Sequence, residues 1–256
     1  MVIVWLLLTA FEFLLPVGRS GGMGAGVAVV DWKHSLVLNP GIIGYGPKFG
    51  GAVAYTVPYG IRELHSGMVG ICFPVSRIDV GAGSFMTGTG SYQEWNMSLV
   101  LGGRVLNELS AGIGVHGCLQ HMGGYVFDLV PVVDLGLLWK SNRWSAGIAG
   151  QRLNSPRFRN GDELAPKFKA GVCWEPVSTL VLAVDIERID DAERAIAGVE
   201  FKLFPQIAVR CGYQTSPQCF RGGIGINWAG LSLDYGYQYH HQLGDTHIFS
   251  ISFRWG

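Results

Sequence analysis

The chain is poor in charge. Asp, Glu, Lys and Arg make up 15% of its 256 residues, and 19 basic side chains balance 19 acidic ones. Without a net field to gather a polyanion, composition gives no support to nucleic-acid binding. Beyond residue 20 the chain also lacks any apolar run near the roughly 18–20 residues of a spanning helix. Yet 48% of residues are hydrophobic and the mean hydropathy is +0.27. An apolar chain without apolar runs must meet lipid or core in another way. Cys-x-x-Cys spacing is missing too, so the five cysteines spell no zinc site. Cys211 and Cys219 flank a short turn, where an oxidising compartment could pair them.

Catalytic constellations are absent as well. His116 and Ser110 share a strand face but lie six residues apart, too far for a hydrogen bond. His240, His241, Asp245 and His247 read as ordinary loop-tip residues rather than metal ligands. The segment GIGVHG (112–117) spells a dinucleotide fingerprint, but that fingerprint needs a helix to follow it. A turn, HMGGY, follows instead. The expectation is therefore a protein that is not an enzyme, with no cofactor and no metal.

What the chain has is glycine, 38 residues of it, and alternation. LSLDYGYQY (231–239) places Leu231, Leu233, Tyr235, Tyr237 and Tyr239 on one face and Ser232, Asp234, Gly236 and Gln238 on the other. AIAGVEFKL (195–203) and RWSAGIAGQ (143–151) repeat the pattern. Period two means strands. Strands are predicted over 48–57, 65–73, 78–88, 92–103, 108–120, 129–140, 143–151, 166–174, 178–188, 193–203, 206–214, 219–228, 230–239 and 246–255. Tight connections alternate with looser ones, of which RLNSPRFRNGDELAP (152–166) is the longest. Trp139, Trp144, Trp174, Trp228 and Trp255 fall beside the tight turns, and Tyr59, Tyr92, Tyr125, Tyr213 and Tyr239 beside the looser links. Two aromatic girdles at membrane interfaces place residues in this way. Trp95 fits neither girdle.

These features predict an all-β chain, a 14-stranded antiparallel transmembrane β-barrel with a short N-terminal plug segment. Residues 47–256 form the barrel in this reading, 19–46 a periplasmic plug segment, and 1–18 an export signal. The signal is a short apolar stretch broken by Glu12 and stopped by Pro16. The location implied is the bacterial outer membrane, with the lipid bilayer as partner. Closure removes the unpaired edges that lipid does not tolerate. Polar positions then turn inward, and Arg104, Asp134, Lys169, Asp185, Glu200, Lys202, Arg210, Arg221, Asp234 and Arg254 are the candidate lumen charge network. Balanced acids and bases of this kind can pair across strands and hold the wall. The glycines of GIGVHG, GGIGIN (222–227) and GAGS (81–84) thin that wall or let another backbone approach it.

One stretch is more specific. GRSGGMGAGVAVVDWKHSLVLNPGIIGY (18–45) resembles the mature N-terminus of PorV/PorQ-type outer-membrane proteins, relatives of the FadL-like barrels. Arg19, Met23, Gly24, Gly26, Val27, Ala28 and Val29 match its glycine-rich opening, and Asn39-Pro40 its close. LGDTHIFSISFRWG (243–256) resembles the last strand of that group. Gly41 stands where the group carries alanine, and Asp31 is what remains of an acidic pair. The resemblance implies a fourteen-stranded barrel whose N-terminal segment, with Asn39 and Pro40 as its motif, tucks into the periplasmic mouth. It implies a secretion-associated or scaffold barrel, with type IX secretion components or exported proteins as partners. The alternative is a FadL-like transporter or channel for a small hydrophobic ligand.

Overall fold

Strict alternation leaves each strand with one apolar and one mixed face, and both are used. The computed structural model describes residues 11, 17–123, 126–159 and 161–256. The first seven strands are β1 (Phe49–Val57), β2 (His65–Val75), β3 (Ile78–Gly88), β4 (Tyr92–Arg104), β5 (Leu109–Met122), β6 (Val126–Ser141) and β7 (Trp144–Gln151). They continue as β8 (Lys167–Val177), β9 (Leu180–Ile189), β10 (Ala192–Phe204), β11 (Ile207–Gln214), β12 (Cys219–Trp228), β13 (Leu231–His240) and β14 (Gly244–Trp255). Each pairs antiparallel with its sequence neighbours, and β1 closes on β14 with Phe49 opposite Trp255 and Val57 opposite His247. The fold is a closed 14-stranded antiparallel barrel, as the alternation predicts.

The outward face is apolar. Val53, Val69, Leu99, Val115, Leu135, Val172, Ile186 and Ile251 are all exposed. Such a belt would drive a soluble protein to aggregate, whereas lipid solvates it. The tight turns gather at one end, where Trp228 and Trp255 are the most exposed tryptophans, at 73% and 77%. Trp144 and Trp174 stack beside them, ring centroids 5.2 Å apart. Tyr125, expected in the opposite girdle, and residues 1–18, expected as an export signal, lie outside the described residues apart from Phe11, Val17 and Gly18. The architecture is that of an outer-membrane barrel, with the tight turns marking its periplasmic end.

One arc of the wall departs from simple pairing. The β6–β7 ladder stops at Leu135 opposite Gly150, although β6 runs on towards Val126. The 152–166 loop covers that half of β6. Leu153 N–H donates to the Val133 carbonyl (3.0 Å), Asn154 Oδ1 accepts from Val133 N–H (3.0 Å), and Asn154 Nδ2 donates to the Pro131 carbonyl (2.8 Å). A backbone left bare there would lose its hydrogen bonds to lipid, so loop and side chain stand in for a strand.

The cysteine pairing raised by the sequence does not occur. Cys211 is exposed on the outer face and Cys219 is buried on the inner one, and all five cysteines are free. Their strand positions decide this: Cys211 lies opposite Gly222, three residues past Cys219. A membrane-permeant maleimide applied to the folded barrel is therefore expected to label Cys211 alone. Mass spectrometry that found Cys72, Cys118, Cys173 or Cys219 modified at a comparable rate would contradict this packing.

Candidate functional site

Residues 17–46 run inside the ring. They comprise a short helix, α1 (Arg19–Met23), and two 3-10 turns, Trp32–Leu36 and Pro40–Tyr45. Glycine lets this segment lie against the wall. A methyl group added at Gly198 would stand 2.6 Å from the Met23 carbonyl oxygen, and one at Gly147 would stand 2.5 Å from that of Val27. At Gly112 and Gly136 the overlap, with the Pro40 carbonyl and the Asn39 side chain, is closer still. Gly112 of GIGVHG thus admits a backbone, Gly114 lies against the His116 and Asp134 side chains, and the nucleotide reading has no place here.

Asn39 is the pivot. It is fully buried. Its Oδ1 accepts from Gly41 N–H (2.9 Å), while Nδ2 donates to the carbonyls of Val27 (2.9 Å) and of Leu137 in β6 (3.0 Å). Asn39 therefore caps the turn that Pro40 opens and ties both arms of the segment to the wall. Wall side chains meet other backbone groups of the segment. Ser145 Oγ donates to the Ala28 carbonyl (2.7 Å), Gln151 Nε2 to that of Val37 (2.8 Å), and Asp185 Oδ2 accepts from Gly26 and Val27 N–H (2.6 and 3.0 Å).

The structure divides the candidate charge network into separate groups. Glu200, Arg210 and Asp234 form one chain: Arg210 Nε lies 2.7 Å from Glu200 and Nη1 2.6 Å from Asp234. The inner segment completes it. Arg19 clasps Glu200 with two bonds (2.9 and 3.0 Å), and Lys33 Nζ reaches Asp31 (3.3 Å), Ser252 Oγ (2.9 Å) and Asp234 (3.9 Å). Burial pushes the Asp31 carboxyl up, but Lys33, His34 and Arg19 outweigh it and hold it well below the usual carboxylate range. Lys169 joins Glu187 (3.5 Å), which also binds Arg194 (2.6 Å). Asp185 serves the segment's amides, through Oδ2. Arg104 donates to the Gly44 carbonyl (3.2 Å), Arg221 to Gln214 (3.2 Å) and Lys202 to the Ser178 carbonyl (3.1 Å). Arg254 is exposed at the tight-turn mouth.

Sequence reasoning missed Arg19, Asp31 and Lys33 as network members because they belong to no strand. It also reads the inner face as carrying mainly glycine, serine and charge. Met68, Phe85, Val100, Leu138, Ile196 and Ile248 turn inward and bury the apolar side chains of the segment, among them Met23, Leu36, Ile42 and Ile43. An interior that holds a folded segment needs a core of its own.

Asp134 belongs to a further group. His116 Nδ1 lies 2.7 Å from Ser98 Oγ and Nε2 lies 3.1 Å from Asp134, across β4, β5 and β6. Ser110, by contrast, donates to the Gly103 carbonyl. Register brings Ser98 opposite His116, a cross-strand pairing invisible along either strand alone. The Ser–His–Asp line lies against Leu36, Val37, Val132 and Phe11 beside a void of about 20 Å³, and its bonds join three neighbouring strands. His240 is a second correction. It is buried at the end of β13, where Nδ1 accepts from the Gln242 and Leu243 N–H groups. Among the described residues no cluster of His, Cys, Asp and Glu is arranged to hold a metal.

At the looser-loop end the lumen holds an apolar pocket made by Cys118, Val130, Val132, Phe158 and Leu164. The ring of Phe11 fills it, 4% exposed and stacked on Phe158 with centroids 5.8 Å apart. Phe11 N–H donates to Glu94 (2.8 Å) and its carbonyl accepts from Arg152 (2.6 Å).

No family model matches the chain, and no curated protein matches its sequence. Solved structures do match its fold. The toluene transporter TbuX of Ralstonia pickettii superposes with a TM-score of 0.74 at 12% identity, over 96% of this chain and 100% of that one. The toluene transporter TodX of P. putida gives 0.73 at 11% identity, covering 95% and 99%. A FadL homologue of Pseudomonas aeruginosa gives 0.67 at 12% identity, covering 94% and 98%. TbuX and TodX are transporters, and none of the three neighbours lends anything to the secretion side of the PorV/PorQ resemblance. At such identities the likeness is one of fold, and the fold is that of the FadL-type outer-membrane barrels.

Proposed function

We propose that the chain is an outer-membrane channel for small hydrophobic molecules, of the size and character of a single aromatic ring. The observation that carries this reading is the place held by Phe11: a benzyl group inside the lumen, buried among Cys118, Val130, Val132 and Leu164 and stacked on Phe158. Residues 1–18 are an export signal in this proposal. Its removal takes Phe11 from the pocket and leaves the space to a ligand ring. The inner segment, with Asn39 and Pro40 at its pivot, then lies between that pocket and the tight-turn mouth as the movable part of the path. The candidate charge groups fix the segment in its resting place. TbuX and TodX are toluene transporters, which agrees with this chemistry.

Uptake of labelled toluene by cells whose own aromatic channels are deleted tests the proposal. Expression of the chain is expected to raise the initial rate several-fold. Phe158→Asp, which places a carboxylate in the pocket without touching the ladder, is expected to return it to the background. Equal rates with and without the chain would end the transport reading.

A further inference from the structure

The balance of charge in the sequence conceals an uneven distribution. At the tight-turn end the exposed charged side chains are Lys48, Arg77, Arg104, Arg143 and Arg254 against Glu108 alone. At the looser-loop end they are Arg62, Arg157, Arg159 and Arg188 against Glu63, Glu163, Asp190, Asp191, Glu193 and Asp245. A neutral chain has thus been folded into a barrel with a basic rim and an acidic one. Glu108, the single exposed acid of the basic rim, is already engaged by Trp139 Nε1 (3.1 Å) and Ser141 Oγ (2.6 Å).

Much of this basic charge faces the mouth rather than the bilayer. The Arg104 guanidinium lies 4.7 Å above the ring of Tyr45, a residue of the inner segment, and Lys140 Nζ lies 5.7 Å from the same ring. Lys202 and Arg254 line a chamber of about 630 Å³ that opens at this end. The chamber's wall includes Asp31, Trp32 and Lys33 of the inner segment. The acids deeper within it, Glu200 and Asp234, are committed to Arg19, Arg210 and Lys33. Asp31 is held by Lys33, and Glu175 and Asp79 are the remaining acids near the mouth, too few to balance its bases.

From this geometry we propose that the tight-turn mouth is a docking surface for an acidic segment of a periplasmic protein. The segment lies across the basic rim and enters the chamber beneath the inner segment. Extent argues for a macromolecule. The basic side chains are spread over the β2–β3, β4–β5 and β6–β7 turns and the ends of β10 and β14, so one small anion can meet only a few of them. Position argues against lipid. Arg104, Lys140, Lys202 and Arg254 lie at the chamber or over Tyr45, inside the ring of strands where bilayer headgroups do not reach. A bound acidic segment touches the inner segment itself, at Trp32 and Lys33. The proposal goes beyond the transport reading and does not depend on it.

The test uses the full barrel in phosphatidylcholine nanodiscs and a fluorescein-labelled octaglutamate peptide, read by anisotropy. Saturable binding at low salt, weakened about tenfold or more at high salt, is the expected result. Lys202→Gln/Arg254→Gln is expected to weaken it about tenfold. Arg62→Gln/Arg157→Gln, at the opposite rim, is expected to leave it unchanged. Retention of the heat-dependent gel shift establishes that each variant is folded. No saturable binding, or equal losses in the two variants, overturns the proposal. Displacement by inorganic phosphate at matched ionic strength would make this a small-anion site and overturn it too. So would loss of peptide binding when the discs carry phosphatidylglycerol, since lipid would then occupy the rim.

Discussion

Replacing Asn39 with alanine is expected to release the inner segment while leaving the barrel closed. The substitution removes one acceptor and two donated bonds at a fully buried position. Gly41 N–H and the Val27 carbonyl are left facing protein without partners, while Leu137 keeps its place in the ladders of β6. Each unsatisfied buried group costs about 1–3 kcal/mol, so the loss is about 2 kcal/mol or more. That penalty falls on the segment's attachment, because the strand ladders of β5, β6 and β7 do not involve the Asn39 side chain. Two measurements separate these effects. Limited proteolysis is expected to cut between residues 19 and 46 in Asn39→Ala but not in the parent chain, and the heat-dependent gel shift of the barrel is expected to persist. Asn39→Asp keeps the acceptor for Gly41 N–H but loses both donors and introduces a buried charge, so it is expected to be no better than alanine. A protected segment in Asn39→Ala would mean that the apolar contacts and ion pairs hold it unaided.

The second large effect is expected from Gly136→Val. A Cβ at this position collides with the Asn39 side chain, the Gly41 nitrogen and the Pro40 ring together. Two of these three belong to the segment's backbone or are locked to it, so no rotamer change relieves the overlap. Overpacking a well-filled interior costs about 1–3 kcal/mol even where side chains can adjust, and here they cannot. The segment must move off β6. Planar-bilayer recording is the readout: the parent chain is expected to conduct little, and Gly136→Val to show an open-channel current at least about tenfold larger, as befits a ring of fourteen strands without its filling. Gly117→Val supplies the control. Its added methyl group meets only the Leu129 side chain, at 3.3 Å, on the outer face. Silence from both variants would show that residues 17–46 are not what closes the lumen.

Both expectations concern the relation between a segment and a wall, and that relation was the least legible part of the sequence. The strands were legible. LSLDYGYQY puts its tyrosines and leucines outward and Asp234 inward, as its period requires, and the same holds for AIAGVEFKL. Partners were not. Along its own strand His116 has only the Ser110 hydroxyl on the same face, whereas register pairs it with Ser98 and sets it beside Asp134. Arg19 gave no sign of its role, because nothing local to a glycine-rich N-terminal stretch indicates that Glu200 awaits it 181 residues away.

By itself the sequence determined the number of strands, which face of each meets lipid, and where the tight and loose connections fall. Those properties follow from period-two alternation and from turn residues, both read within a dozen positions. Only the tertiary structure decided what fills the ring, which charges meet, and that a neutral chain has one basic rim. The reason is physical. Inward side chains are chosen for partners brought close by closure of the barrel, and closure sets distances between residues that the chain order leaves far apart.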